Sequence, residues 1–87
     1  MEIYLTPKFK KVYISLPEKI KVKAEEKEKI FKQNPFYPSL DTHRLHGKWR
    51  EYWSFSVDKS YRIMFQFLDA ARKKVAFVNI GTHEIYK

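Results

Sequence analysis

An α+β fold, with two N-terminal helices packed on one face of an antiparallel sheet, follows from three features of the 87-residue sequence. Apolar residues recur at helical spacing through the first third of the chain and at period two from Trp53 onward. Prolines and turn-forming residues stand at the joints between these segments. A hydrophobic content of 44%, including 17% aromatic residues, is enough for one core, while the length leaves no room for a second domain. Residues 1–87 are therefore read as a single domain with the order strand, helix, helix and a three-strand meander.

Glu2 to Leu5 forms a short strand. Thr6 followed by Pro7 is a helix start, a hydroxyl N-cap before proline at the first helical position. Phe9, Val12, Tyr13 and Leu16 then make one apolar stripe. Pro17 opens a second helix, with Ile20, Ala24 and Phe31 inward and Ile30 beside them. Alternating Lys and Glu between them suits a solvated face. Asn34-Pro35 ends that helix. Residues 35–52 read as an ordered loop or short strand. Trp53, Phe55 and Val57 share one face of the next strand, with Ser54 and Ser56 on the other. After a turn at Asp58-Lys59-Ser60, Tyr61, Ile63, Phe65 and Phe67 alternate with Arg62, Met64, Gln66 and Leu68. A turn over 69–73 leads to the nearly continuous apolar run from Val75 to Ile80. Gly81-Thr82 is expected to break it, leaving His83 to Tyr86 as a tail.

Composition narrows the function. Eighteen Lys and Arg against ten Asp and Glu leave a net charge of +8, which points to a polyanionic or acidic partner. Residues 1–32 hold nine Lys and five acids, and residues 33–87 hold five Lys, four Arg and five acids, so each part carries +4. The four arginines, Arg44, Arg50, Arg62 and Arg72, all lie in the second part, where the planar guanidinium suits specific anion contacts. The absence of cysteine excludes disulfides, thiolate zinc and a cysteine nucleophile. Two glycines cannot make a Rossmann or P-loop fingerprint. No apolar run reaches the length of a membrane span, and the N-terminus lacks signal-peptide blocks. A cytoplasmic protein without a cofactor is expected.

Several residues invite chemistry. Arg62 interrupts the apolar run Tyr61, Ile63, Met64 and Phe65. It is either an arginine on the solvent face of an amphipathic strand or an anion ligand. His43, His46 and His83 have side chains suited to proton transfer near neutrality, although His83 could equally cap a turn. Tyr86 is either a core tyrosine or a stacking group. Lys48, Trp49 and Arg50 mix cations with an aromatic ring, as RNA-binding surfaces do, or form a solvated loop anchored by one tryptophan. No carboxylate or third histidine accompanies His43 and His46 at ligand spacing, so no metal is expected.

Four segments occur in a telling order. They are the helical pair ending at Asn34-Pro35, Thr42-His43-Arg44-Leu45-His46-Gly47, the hairpin Tyr52-Trp53-Ser54-Phe55-Ser56-Val57 with Tyr61-Arg62-Ile63, and Gly81-Thr82-His83-Glu84-Ile85-Tyr86. Together they resemble the RelE/ParE superfamily of toxin–antitoxin toxins, nearest its YoeB and YafQ branches. The resemblance spans essentially the whole chain. It implies a toxin that cleaves mRNA in the ribosomal A site, contacts ribosomal RNA and is silenced by a small acidic antitoxin. It implies His43 as general base, Arg62 as phosphate stabiliser and His83 as general acid, with Tyr86 at the site. His46, Lys48, Trp49, Arg50, Ser56 and Tyr61 become RNA contacts. Two features depart from the superfamily's patterns. Ser54 and Ser56 stand where RelE carries lysines, and Ser60 and Tyr61 stand where the YafQ branch has an acid and a tryptophan. Two alternatives stay open: a ParE-type DNA gyrase inhibitor that acts by binding, and an RNA- or ribosome-binding module that has lost catalysis.

Overall fold

The computed structural model describes residues 1–86. It contains β1 (Glu2–Leu5), α1 (Pro7–Ser15), α2 (Glu18–Gln33), β2 (His43–Arg44), β3 (Trp53–Ser56), β4 (Tyr61–Phe67) and β5 (Lys74–Thr82). Short 3₁₀ turns occupy Pro38–Leu40, Gly47–Trp49 and His83–Tyr86. The five strands form one sheet in the order β1-β5-β4-β3-β2, and two helices and a sheet give the expected α+β class.

Thr6 starts α1 as its composition suggests, its hydroxyl accepting from the Phe9 N–H at 3.2 Å. The same residue ties the helix to the sheet, donating its own N–H to the Phe77 carbonyl at 3.1 Å and its hydroxyl to the Val78 carbonyl at 3.3 Å. Pro17 precedes α2, and its carbonyl accepts from Ile20. Phe9, Ile20, Ala24 and Phe31 are buried against Phe55, Val57, Ile63, Phe65, Val75, Phe77 and Ile80. Phe31 is at the centre. Its ring lies 4.6 Å from Phe55, 4.9 Å from Phe65 and 5.6 Å from Phe77 between centroids, two of these contacts edge-on. The periodicities that define the helices and strands therefore meet in one apolar layer.

Two details correct the expected sheet. Its antiparallel character holds for β2 through β5, but β1 pairs with β5 in parallel, Ile3 opposite Val75 and Leu5 opposite Phe77. Strands joined by short turns must run antiparallel, whereas parallel partners need a long crossover. Almost the whole chain separates β1 from β5. Gly81-Thr82 also does not break the last strand: Gly81 pairs with Arg62 and Thr82 with Tyr61. Gly81 is not in the left-handed region, so its backbone can join the ladder.

β5 carries a bulge. Met64 pairs with Asn79 but Phe65 pairs with Phe77, leaving Val78 as the extra residue. The bulge lets Phe77 and Ile80, three apart in sequence, both enter the core beneath the helices. On the opposite side of the sheet, Ser54 is fully buried, and Met64, Ala76 and Asn79 are buried as well. That second face is thus partly covered. It carries the candidate site.

Candidate active site

Direct antiparallel partners share a face. The register places His43 opposite Ser54 and Ser54 opposite Met64, in one row across β2, β3 and β4. Ser56, Arg62 and Gly81 form the parallel row two residues along β3. At about 3.3 Å per residue the two rows are roughly 7 Å apart. The sheet therefore presents His43 and Arg62 on the face away from the helices.

Arg62 is half-buried. Its Nη1 donates to the Ser56 hydroxyl at 2.9 Å. That partner is neutral, so the bond orients the guanidinium without cancelling its charge. On the other flank stands Gly81, where an added Cβ would come within 2.7 Å of the Ile85 Cγ2. The missing side chain lets the turn His83–Tyr86 fold back beside Arg62. The chain enters β4 through a turn held by Asp58, whose Oδ1 accepts from the N–H groups of Ser60 at 2.9 Å and Tyr61 at 2.8 Å. The Tyr61 N–H, with help from Ser60 and Lys23, holds the Asp58 carboxyl below its ordinary range. Lys23 of α2 reaches Asp58 at 3.6 Å, so the turn before Arg62 is also tied to a helix.

His43 is exposed and lies two residues after Asp41, a non-glycine residue at φ 49°. The His43 Nδ1 lies 3.0 Å from the Asp41 carbonyl. A carbonyl only accepts, so Nδ1 carries the proton in the neutral ring and Nε2 presents a lone pair. That Nε2 is 3.5 Å from the Ser54 hydroxyl. The segment before it is closed by the Thr42 hydroxyl, which donates to the Pro35 carbonyl. Local backbone geometry thus selects the tautomer that a general base requires.

A cavity of about 280 Å³ opens beside this row, lined by His43, Arg44, Leu45, His46, Trp49 and Tyr86. It brings the loop after β2 together with the C-terminal turn. Arg44 braces it, its Nε donating to the Arg50 carbonyl at 2.8 Å. Trp49 is half-buried, its ring 6.0 Å from Tyr52, with the Lys48 ammonium 5.3 Å from its centroid. Its indole Nε1 is buried without a hydrogen-bond partner among the described residues. His83 opens the final turn directly after β5 and is exposed. The Glu84 N–H meets the Thr82 hydroxyl at 3.5 Å.

The expected site residues divide accordingly. His43, His46, Trp49 and Tyr86 share the cavity. Ser56 and Arg62 touch each other in the neighbouring row. Lys48 and Arg50 stay exposed on the loop. Tyr61 is the exception, because it packs against the core on the helix side of β4, the face opposite Arg62. The alternation of β4 required this. Three contributors were missed as such: Asp41, whose carbonyl orients His43, Ser54, which meets Nε2, and Gly81, which admits Ile85. A serine inside an apolar strand and a glycine at a strand end were the available signals. Nothing in the sequence marked the Asp41 carbonyl. Among the described residues no three His, Asp or Glu side chains converge as metal ligands would. None of the described helices is long and apolar enough to cross a membrane.

Residues 18–87 match the ParE-like toxin domain. The chain belongs to the ParE-like toxin family. It is a toxin of the RelE/ParE superfamily of toxin–antitoxin systems. Solved structures share its fold along nearly the entire chain. A YoeB/ParE toxin from Agrobacterium tumefaciens superposes with a TM-score of 0.78 at 16% identity, covering 95% of this chain and 99% of that one. YafQ from E. coli strain BL21(DE3) gives 0.77 at 20% identity, covering 99% and 98%. The archaeal RelE in its RelE–RelB complex from Pyrococcus horikoshii OT3 gives 0.73 at 15% identity, covering 93% and 92%. No curated protein matches the sequence.

Proposed function

We propose that this toxin is a metal-independent endoribonuclease that cuts mRNA in the ribosomal A site. The observation that carries the reading is the pairing of two rows on one open face. One presents His43 Nε2, an acceptor that meets only the Ser54 hydroxyl at 3.5 Å, and the other presents a guanidinium whose hydrogen-bond partner is neutral. In this reading His43 Nε2 takes the proton from a ribose 2′-hydroxyl. The 2′-oxygen attacks the adjacent phosphorus, and Arg62 stabilises the charge gathering on the phosphorane oxygens. His83, protonated, delivers a proton to the departing 5′-oxygen. The products are a 2′,3′-cyclic phosphate and a 5′-hydroxyl. Tyr86 and His46 line the cavity beside His43, where a neighbouring base can stack, and Trp49, Lys48 and Arg50 supply ring and charge at its rim. The ribosome completes a site that is open on this small domain, and ribosomal RNA offers the anionic surface that a net charge of +8 suits.

The partner that silences the toxin in the cytoplasm is a small acidic antitoxin. Supporting it, toxins of the same fold are found in a DinJ–YafQ complex from E. coli and a YoeB–YefM complex from Staphylococcus aureus. Programmed ribosomes incubated with the purified chain should yield cut mRNA. Arg62→Ala and His83→Ala should each slow cutting by about 10²-fold or more while leaving the fold intact. Unchanged cutting by both variants would sink the mechanism. Inhibition of gyrase supercoiling by a chain that leaves mRNA whole would instead establish the gyrase inhibitor. Salt-sensitive ribosome binding without cutting would leave a binding module.

A further inference from the structure

Arg72 lies outside the site just described, and its setting is unusual. It sits in the turn between β4 and β5 at φ 58°, a left-handed conformation uncommon for a residue with a side chain. Its guanidinium carbon lies 4.9 Å from the Phe67 ring centroid, 5.2 Å from Phe36 and 5.3 Å from Trp53. The three rings also contact one another, with centroid separations of 5.5, 5.6 and 6.1 Å. Three aromatic rings thus hold one cation. The guanidinium makes no hydrogen bond or ion pair among the described residues.

The neighbouring charges leave it unneutralised. Lys73 and Lys74 follow, both exposed. The acid of the turn, Asp69, is occupied with the backbone: its Oδ1 accepts from the Lys73 N–H at 2.9 Å and the Lys74 N–H at 3.1 Å. Phe36 is 41% exposed and the adjacent Tyr37 is 50% exposed. A planar fork fixed by rings, with its N–H groups unclaimed, loses little freedom on meeting a phosphate. The exposed rings beside it offer faces for unstacked bases. A purely polyanionic segment without rings of its own would use the charges but leave the two exposed rings unmatched.

The geometry points to Arg72 as a phosphate contact for single-stranded RNA, with Lys73 and Lys74 adding charge and Phe36 and Tyr37 stacking bases. Arg62 and Phe67 are five residues apart on β4, about 17 Å along an extended strand, and Phe67 and Trp53 pack on the helix side of the sheet, the face opposite Arg62. The contact would therefore hold RNA that passes round the end of the β4–β5 hairpin, well away from the bond that Arg62 faces. This placement rests on the proposed ribonuclease, but binding at the turn can be measured without any cleavage.

Anisotropy of a labelled oligouridylate, titrated with the full chain over a salt series, reads the contact. Loss of one phosphate contact on a single strand should lower the salt slope by about 0.7 and weaken binding about fivefold near 0.1 M salt. Arg72→Ala should show both changes, and Arg72→Lys should retain most of the slope. Lys29→Ala, an equal charge loss on α2, should show neither. Thermal melts confirm that each variant is folded. A lower melting temperature for Arg72→Ala with an unchanged slope would make the ring contact a structural staple and overturn the inference. An equal drop for Lys29→Ala would also overturn it, as diffuse attraction. So would polyglutamate that competes as well as RNA with the same dependence on Arg72. A chain that never cuts mRNA but binds oligouridylate through Arg72 would refute the ribonuclease and leave this contact standing.

Discussion

Arg62 and Arg72 stand near opposite ends of the β4–β5 hairpin, and the protein orients each by different means. Arg62 lies within the strand ladder, steered by a neutral hydroxyl from Ser56 and flanked by the empty side of Gly81. Arg72 lies in the connecting turn, steered by the faces of Phe36, Trp53 and Phe67. Each hairpin turn is organised by an aspartate that accepts two backbone N–H groups through one oxygen, Asp58 before Arg62 and Asp69 around Arg72. Neither aspartate neutralises its arginine. A basic domain can thus place two guanidinium groups by backbone caps, hydroxyls and rings, and leave their charge for an external anion.

The largest effect that separates the two ends is expected at Gly81. Gly81→Ala sets a methyl group 2.7 Å from the Ile85 Cγ2 and pushes back the turn that bears His83. Misplacing a catalytic group by about 1 Å can cost up to roughly 10²-fold. Cutting by Gly81→Ala on programmed ribosomes should fall by roughly ten- to a hundredfold, and adding Ile85→Ala should recover much of it, because the clash is with that side chain. Oligouridylate binding through Arg72 should not change. If Gly81→Ala cuts normally, the fold-back of the C-terminal turn has no part in placing His83.

A smaller effect concerns the two aspartates and is read in stability. Asp58 has its carboxyl held below the ordinary value of 3.8, first by the Tyr61 N–H. A lowered folded value means that the ionised form is stabilised by folding. Its contribution is complete above 3.8 and is lost as the pH falls through the lower folded value. Asp58→Asn should flatten that acid limb of the stability curve, measured by chemical denaturation between neutral and strongly acidic pH. A limb that stays as steep in Asp58→Asn would assign the loss to other carboxylates.

Most of the fold was legible because burial imposes a period. Phe31, Phe55, Phe65 and Phe77 all fall in the one core that the helical and strand spacings predict. The direction of β1 was not legible, since four residues paired to a strand at the far end of the chain carry no local sign of orientation. Gly81 misled in the other direction, because a glycine favours a break by propensity and here serves a close contact. The candidate site was legible in its side chains. It was not legible where it depends on backbone, as in the Asp41 carbonyl that selects the His43 tautomer. The β4 alternation already set Tyr61 on the face opposite Arg62, a constraint stronger than its position beside that arginine. Arg72 was marked only as one of four arginines, since its rings come from α2's exit, β3 and β4 and meet only in three dimensions.

In the proposed reaction the ribose 2′-hydroxyl is the nucleophile, activated on the face of the sheet that carries His43 and Arg62. Programmed ribosomes carrying an mRNA with a single 2′-deoxynucleotide on the 5′ side of the mapped cut test it most directly. The all-ribose message should end in a 2′,3′-cyclic phosphate at that position, and the deoxy message should not be cut there. Cutting of the deoxy message at the same bond, leaving a linear phosphate, would contradict it.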